Sequence, residues 1–418
     1  MAGTARNRFC LGTVASAAGV RGQPVTVKPR VLFVLGGPLD VGGAERQLLM
    51  VLPLLQQAGF DVELHCLGEA GDLASEMRRH GVTLTTMPAY FARGTGYVQR
   101  KLRAMAGFFS VAARISHWRP EIVHFFSPTA YTVAGFLTLA MGPSIRVMSR
   151  RKTNQYLAGR PFAKLQESFL HKRCSAVLGN SRETAKELVR EGAPIERVGC
   201  IYNGVDLDAF AELPVRDEVR RGLRIDADTL MIVKVANLWS YKGHADLIEA
   251  LATAGLSVPW RLFLIGRDEG EGRALREQCL RSGIAEQVVF IENCADVRPY
   301  LSAADIGVSA SYEEGFSNAL LEYLASGLPI ISTDLGGSVE LLGEAGLIVG
   351  KGDVVGLAAG FREFTNADTR AGYARKAKVR ARCFSLQLCA RQYMQLYRSL
   401  LEGEALPQEI GLTSAGRS

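Results

Sequence analysis

Only six histidines are spread through the 418 residues, and none of the eight cysteines falls in a CxxC pair. Zinc and dithiol redox centres need clustered ligands at short spacing, so both are excluded as the basis of activity. The cysteines are read as small buried hydrophobes in a reducing compartment. Long apolar runs are also missing. The one uncharged window long enough to cross a bilayer, Phe125 to Ile145, contains Pro128, Pro143 and several hydroxyl residues, and divides into a strand end, a loop and a helix. Acidic residues are almost absent from one stretch: between Met77 and Gln166 only Glu121 is acidic, against fourteen Lys and Arg. That local excess is larger than the net charge of +7, so the remainder of the chain is net acidic and charge is segregated.

What is present is a soluble globular composition, 48% hydrophobic and 22% charged, with 44 glycines that suit many tight strand-to-helix turns. The length predicts two domains. From residue 30, short β-branched runs alternate with helical stretches: "RVLFVLG", "DVELHCLG", "VTLTTMP", "EIVHFF", "IRVMSR", "AVLGNS" and "RVGCIYNG" read as covered parallel strands. After a polar linker beginning "NGVDLDAF", a second set follows: "LMIVKVANL", "WRLFLIG", "QVVFIEN", "ADIGVSAS", "LPIISTD" and "GLIVG". The expectation is α/β, with two Rossmann-like doubly wound domains over 29–205 and 206–385. A helix over 386–401 packs back on the first domain, and disordered tails occupy 1–28 and 403–418. The first tail carries Arg6, Arg8 and a mildly apolar stretch that loosely mimics a targeting signal. Open parallel sheets bind ligands beyond the carboxyl ends of their strands, which puts a site in the cleft between the domains.

Several stretches at those strand ends carry chemistry. "LGGPLDVGGAERQLL" sets Gly42 and Gly43 at a helix start, where bare amides and the helix dipole seat an anion; it is neither GxGxxG nor the Walker A pattern. In "ANLWSYKGH", Asn237 and Lys242 follow a strand and precede a helix. "SYEEGFSNALLEYLASGLPIISTD" places Glu314 before a helix and Glu322 within it, among Leu320, Leu321, Tyr323 and Leu324. A buried ionised carboxylate costs several kcal/mol unless hydrogen-bonded, so Glu322 requires either an internal arginine or amide, or a ligand with a pair of hydroxyls. A phosphate centre with hydroxyl groups on both sides describes a nucleotide sugar.

The Glu314-x7-Glu322 spacing, the "EGF" turn, "GGAER", "NGVDLDAF" and "ANLWSYKGH", in this order over about residues 30 to 402, resemble the retaining GT-B glycosyltransferases of family 4, the group 1 glycosyl transferases. The resemblance implies a GT-B fold and sugar transfer with retention, without a metal or other cofactor. Glu314 would contact donor-sugar hydroxyls and Glu322 the ribose. Lys242 would neutralise the departing diphosphate, with the amides of Phe316, Ser317 and Asn318 beside Gly315, and with Gly42 and Gly43 on the far side. Asn293 and Cys294 fall where the base is usually met. Two positions depart from the family pattern. Asn237 stands where an arginine is common, and Phe126 takes the second place of a histidine pair whose first member, His124, would face the sugar. Asp206 and Asp208 form a DxD triplet, but it lies in the linker motif and is not read as a metal site.

The expected activity is hexosyl transfer from a nucleotide sugar to a lipid-linked or oligosaccharide acceptor in polysaccharide, lipopolysaccharide or glycolipid biosynthesis. The expected location is the cytoplasm, peripheral on the inner face of the plasma membrane through the basic, aromatic-rich segment. No nucleic-acid motif accompanies the basic charge. A non-catalytic nucleotide-binding or partner subunit and a sugar-nucleotide epimerase are the alternatives.

Overall fold

The computed structural model describes residues 28–87, 97–141, 145–151, 154–292 and 294–412. The expected tail over 1–28 therefore lies, apart from Lys28, outside the described residues.

The first sheet contains β1 (Arg30–Leu35), β2 (Asp61–Cys66), β3 (Thr83–Thr86), β4 (Ile122–Phe125), β5 (Ile145–Arg150), β6 (Ala176–Gly179) and β7 (Val198–Cys200). Its order is β3-β2-β1-β4-β5-β6-β7, every pair parallel. The second contains β8 (Leu230–Val235), β9 (Trp260–Ile265), β10 (Val288–Ile291), β11 (Ile306–Ser309), β12 (Ile330–Thr333) and β13 (Leu347–Val349). Its order is β10-β9-β8-β11-β12-β13, again all parallel. The central strands are buried along nearly their whole length, so they read as apolar runs without polar alternation. In each sheet the order reverses beside the first strand of its domain, between β1 and β4 and between β8 and β11, which opens a crevice at their carboxyl ends.

The chain passes twice between the domains, and the two passages run side by side. Val205 pairs in parallel with Ser385: its amide donates to Phe384 O at 2.9 Å and its carbonyl accepts from Leu386 N at 2.8 Å. Beyond this point the helix Leu386–Leu401 returns to the first domain, burying Leu386, Cys389, Tyr393, Leu396 and Tyr397 in the core beneath β1 and the helix Gly43–Gln57. The segment after it does not behave as the disordered tail expected from 403 onward. Ile410 is buried, its carbonyl accepts from Cys200 N at 2.9 Å, and Gly411 bridges Gly199, so this piece caps the β7 edge of the sheet. Residues 413–418 lie outside the described residues.

A network of charged groups is buried in the first domain. Arg150, fully buried at the end of β5, donates to Glu191 at 2.6 and 2.7 Å and to Glu167 at 2.6 Å. Burial pushes the Glu191 carboxyl up, but hydrogen bonding from His171 and the Arg150 charge outweigh it and leave the group at about 2. Removing one partner of such a network strands the other charges in a medium that solvates them poorly. Arg150→Met is expected to destabilise the protein by about 3 to 5 kcal/mol, read as a fall in the urea midpoint, with most of the loss recovered when Glu167 and Glu191 are made apolar as well.

Candidate active site

Two loops of the second domain meet at the crevice. After β8 the chain makes a short 3-10 turn, Ser240–Lys242, and Gly243 then adopts φ +66. A Cβ at Gly243 would come within 1.8 Å of Ala310 O, so only glycine lets this loop lie against the end of β11. The contact sets Lys242 Nζ 2.5 Å from Glu314 Oε2, with both side chains mostly shielded from water. Beneath them, Lys234 of β8 is buried; desolvation, reinforced by the Lys242 charge, brings its ammonium down to about 7.

The turn after β11 leads into the helix Asn318–Ser326. Ser317 caps it, its Oγ accepting from Leu320 N, so this hydroxyl is committed to the helix start. Tyr323 anchors the helix from below: its hydroxyl accepts from Val235 N at 2.6 Å, and its ring lies over Gly307, where a Cβ would approach to 2.6 Å. Gly315 runs against the first domain, with a virtual Cβ 2.8 Å from Arg151 O, and a Cβ at Gly337 would meet Gly315 O at 1.8 Å. Phe316 is buried against Tyr202 and Phe384, which leaves its backbone rather than its ring at the crevice.

Across the crevice, the helix Gly43–Gln57 starts at the Gly42–Gly43 pair. Gly43 O accepts from Asn318 Nδ2 at 2.9 Å, and a Cβ on Gly43 would sit 3.2 Å from that nitrogen, so the close approach of the domains uses the missing side chain. Asn318 Oδ1 accepts from Asn203 Nδ2 at 2.7 Å and from Gln47 Nε2 at 3.4 Å. Gln47 also bonds both the carbonyl and the amide of Gly204.

Glu322, one turn further along, has Arg46 of the first domain as a loose partner, Nη1 to Oε1 3.9 Å, with 19% of the glutamate side chain exposed. Burial raises its carboxyl to about 7, the Arg46 charge working against the shift and Asp296 adding to it. Cys294 lies in the same electrostatic neighbourhood as Arg46 and Glu322; its thiol donates to Asp296 O and burial raises its pKa. Asn293 lies outside the described residues.

Two expectations change. His124 is fully buried in β4, stacked on Phe33 and bonded to Tyr397 O–H at 2.6 Å and to Ser149 Oγ at 2.7 Å, so it holds the C-terminal helix to the first sheet and faces no ligand. Burial, with the Arg151 charge, keeps it far below its ordinary pKa, and the neutral ring satisfies both hydroxyls, one nitrogen donating and the other accepting. Asn237 turns to its neighbouring loop, accepting from Arg267 N at 3.1 Å and donating to Glu269 at 3.4 Å. The DxD triplet is a helix cap: Asp206 accepts from the amides of Asp208 and Ala209. Sequence reading missed Arg46, Gln47, Asn203 and Lys234; the first two belong to the "GGAERQ" block it singled out, but nothing in the sequence showed that they cross to Glu322 and Asn318.

Two family models match these two halves: Glycosyltransferase Family 4 over residues 41–209 and Glycosyl transferases group 1 over residues 229–366. The chain belongs to the family 4, group 1 glycosyltransferases. Among curated relatives of this glycosyltransferase chain is a lipopolysaccharide core biosynthesis mannosyltransferase of Rhizobium meliloti, 27% identical over 248 residues, covering 56% of this chain and 68% of that protein. Another is a D-inositol 3-phosphate glycosyltransferase of Rhodococcus erythropolis, 28% identical over 299 residues, covering 67% and 63%. A colanic acid relative of Escherichia coli is matched over 50% of its length, so the chain spans between half and about two thirds of such proteins. The fold matches Anabaena HepE in complex with UDP, TM-score 0.75 at 19% identity over 89% of this chain and 100% of that one. It also matches WaaG, a glycosyltransferase involved in lipopolysaccharide biosynthesis, TM-score 0.70 at 18% identity over 87% and 98%. These likenesses establish GT-B as the fold.

A carboxyl raised from its ordinary value binds its proton more tightly in the folded state, so it stabilises the fold at low pH and loses that contribution as pH rises through about 7. Glu322→Gln should change stability little at about pH 5 and increase it at about pH 8 by on the order of 3 kcal/mol, read as a higher melting temperature. Thermal melts of the two proteins across that range check the sign; a variant less stable than wild type at the alkaline end contradicts it.

Proposed function

We propose that this glycosyltransferase moves a hexose from a nucleoside-diphosphate donor to a hydroxyl of a lipid-linked or oligosaccharide acceptor, in the assembly of a polysaccharide, lipopolysaccharide or glycolipid. The observation that carries this is the Lys242–Glu314 contact at the mouth of the crevice, next to the capped start of the helix that holds Glu322. An ammonium bonded to one carboxylate lies beside the turn into a capped helix start, and a second carboxylate follows one turn along that helix. A diphosphate flanked by two polyhydroxyl groups matches this arrangement, and HepE of the same fold has been crystallised with UDP and UDP-glucose.

In the proposed reaction the acceptor oxygen forms the new bond at the anomeric carbon as the carbon–oxygen bond to the diphosphate breaks. The leaving diphosphate keeps the electron pair and takes the acceptor proton on the same face, so configuration is retained. Negative charge grows on the phosphate oxygens as the bond breaks, and Lys242 with the amides of Phe316, Ser317 and Asn318 is already in place to meet it. This chain's own cation and helix start fill the role that a metal ion plays elsewhere, so the reaction is proposed to run without one. Glu314, oriented by Lys242, accepts from donor-sugar hydroxyls, and Glu322 accepts from the ribose diol. That last contact needs the carboxylate form, so donor affinity should rise with pH through about 7. The acceptor is proposed to be presented at the cytoplasmic face of a membrane, where the basic first domain would meet it.

Released diphosphate, measured with a panel of UDP- and GDP-linked hexoses in the presence and absence of membrane extract, tests the reading. Glu314→Ala should lower transfer by roughly 2 to 4 kcal/mol of transition-state stabilisation with the fold intact. Near-wild-type transfer by that variant would overturn the assignment, and donor binding without turnover on any acceptor would favour a non-catalytic subunit.

A further inference from the structure

The basic count between Met77 and Gln166 overstates the charge that reaches the surface, because Arg150 is buried, Arg114 pairs with Glu63 and Arg151 reaches inward to Asn203 and Tyr393. What stays outside is more unusual than a solvated basic face. Helix Tyr97–Trp118 exposes Leu102, Met105 and Phe109, and helix Pro161–His171 exposes Phe162, Leu165 and Phe169, each at the same i, i+3, i+7 spacing that defines one helix face. Helix Pro128–Met141 packs between the two and adds Phe136, which stacks on Phe169, and Met141. Phe162 is 71% exposed, Leu165 68% and Phe109 62%, values that leave most of each side chain in water. Exposed Arg160, Lys164, Lys172 and Arg173 stand among them, the last with its guanidinium 3.5 Å over the Phe169 ring. Of the two acids from residue 97 to 173, Glu167 is buried with Arg150, and Glu121, outside all three helices, accepts from the Arg30 amide at the start of β1.

We propose that these three helices form a membrane-docking face that inserts Leu102, Met105, Phe109, Phe162 and Leu165 into the interfacial layer of an anionic bilayer while the surrounding bases meet its headgroups. A scatter of large apolar side chains among cations, on three helices whose single acid, Glu167, is buried, is complementary to acyl chains under a negative surface. The topology also directs the face. In a parallel sheet each helix begins beside the carboxyl end of the strand before it, so Phe162 and Leu165, near the start of one helix, and Leu102 and Met105, in the amino-terminal half of the other, lie toward the crevice. Docking there holds the crevice rim against the bilayer, where a lipid-linked acceptor presents its sugar. That consequence rests on the transferase reading above; the docking itself does not.

The test is co-sedimentation of the full chain with vesicles of phosphatidylcholine containing about a third phosphatidylglycerol, against vesicles of phosphatidylcholine alone. The wild type should bind the anionic vesicles and release as salt rises. The double variant Phe162→Ser, Leu165→Ser should partition at least about tenfold less, and adding Phe109→Ser should weaken it further. Val355→Ser with Val379→Ser, two exposed apolar positions of the second domain, should leave partitioning unchanged, and so should Glu314→Ala, which separates docking from catalysis. Circular dichroism melts confirm that the surface variants stay folded. No binding by the wild type, or equal binding by the double variant, overturns the proposal. So does loss of a dimer by that variant in light scattering with vesicle binding retained, which would make the face a contact between copies.

Discussion

Holding ionisable groups where water is scarce is the constraint on which the rest of this architecture depends. Glu322 sits on an otherwise apolar helix and has only a guanidinium 3.9 Å away, longer than a hydrogen bond, so burial dominates and its carboxyl titrates near 7. An internal arginine in firm contact would have driven the group the other way, as Arg150 and His171 do for Glu191. The two glutamates thus separate a structural ion pair from an unfinished one. The first is closed on itself, and the second, among the described residues, has no donor within hydrogen-bond distance.

That arrangement requires the two domains to be placed accurately without being fused. The polar bridge through Asn318, Gln47, Asn203 and Gly43 uses neutral amides, whose hydrogen bonds are individually modest and exchange readily with water. Arg46 and Glu322 add a loose charge contact beside it. The covalent link is a pair of passages running in parallel, Val205 beside Ser385. Strong apolar cores lie on either side of the crevice, and across it near the helix start polar groups meet beside one aromatic contact, Phe316 on Tyr202, which suits a site that must admit and release a charged ligand.

Most of the strands were legible because parallel strands covered on both faces leave continuous apolar runs, as in "RVLFVLG" and "WRLFLIG"; the edge strand β3, Thr83–Thr86, is the polar exception. Glu314 and Lys242 stood out in sequence as charges beside glycines after strands, and Glu322 as a lone charge on an apolar helix; the structure brings the first two into contact and sets Glu322 3.9 Å from Arg46. His124 was misread because a histidine at the end of a strand looks the same in sequence whether it faces a ligand or two hydroxyls, and its partners, Ser149 and Tyr397, come from 25 and 273 residues away. The 403–412 segment was misread for a related reason: "EALPQEIGLT" has no periodicity, and it is ordered by the open β7 edge rather than by its own propensity.

The fate of the basic stretch shows how composition turns into surface. Of its cations, those nearest the strands were absorbed: Arg150 by two carboxylates, Arg151 by Asn203 and Tyr393, Arg114 by Glu63. Absorption needed acids or hydroxyls brought from other elements, and the helices Pro128–Met141 and Pro161–His171 supply almost none on their outer sides. A guanidinium with no carboxylate in reach settles over an aromatic ring instead, as Arg173 does over Phe169, and an apolar side chain with no core in reach stays in water. Charge and apolar exposure are therefore not independent on this face. Both follow from the same shortage of acids, and a surface made in that way is mismatched to water and to acidic proteins' polar rims alike, while an interface that is negative outside and hydrocarbon within satisfies both of its components at once.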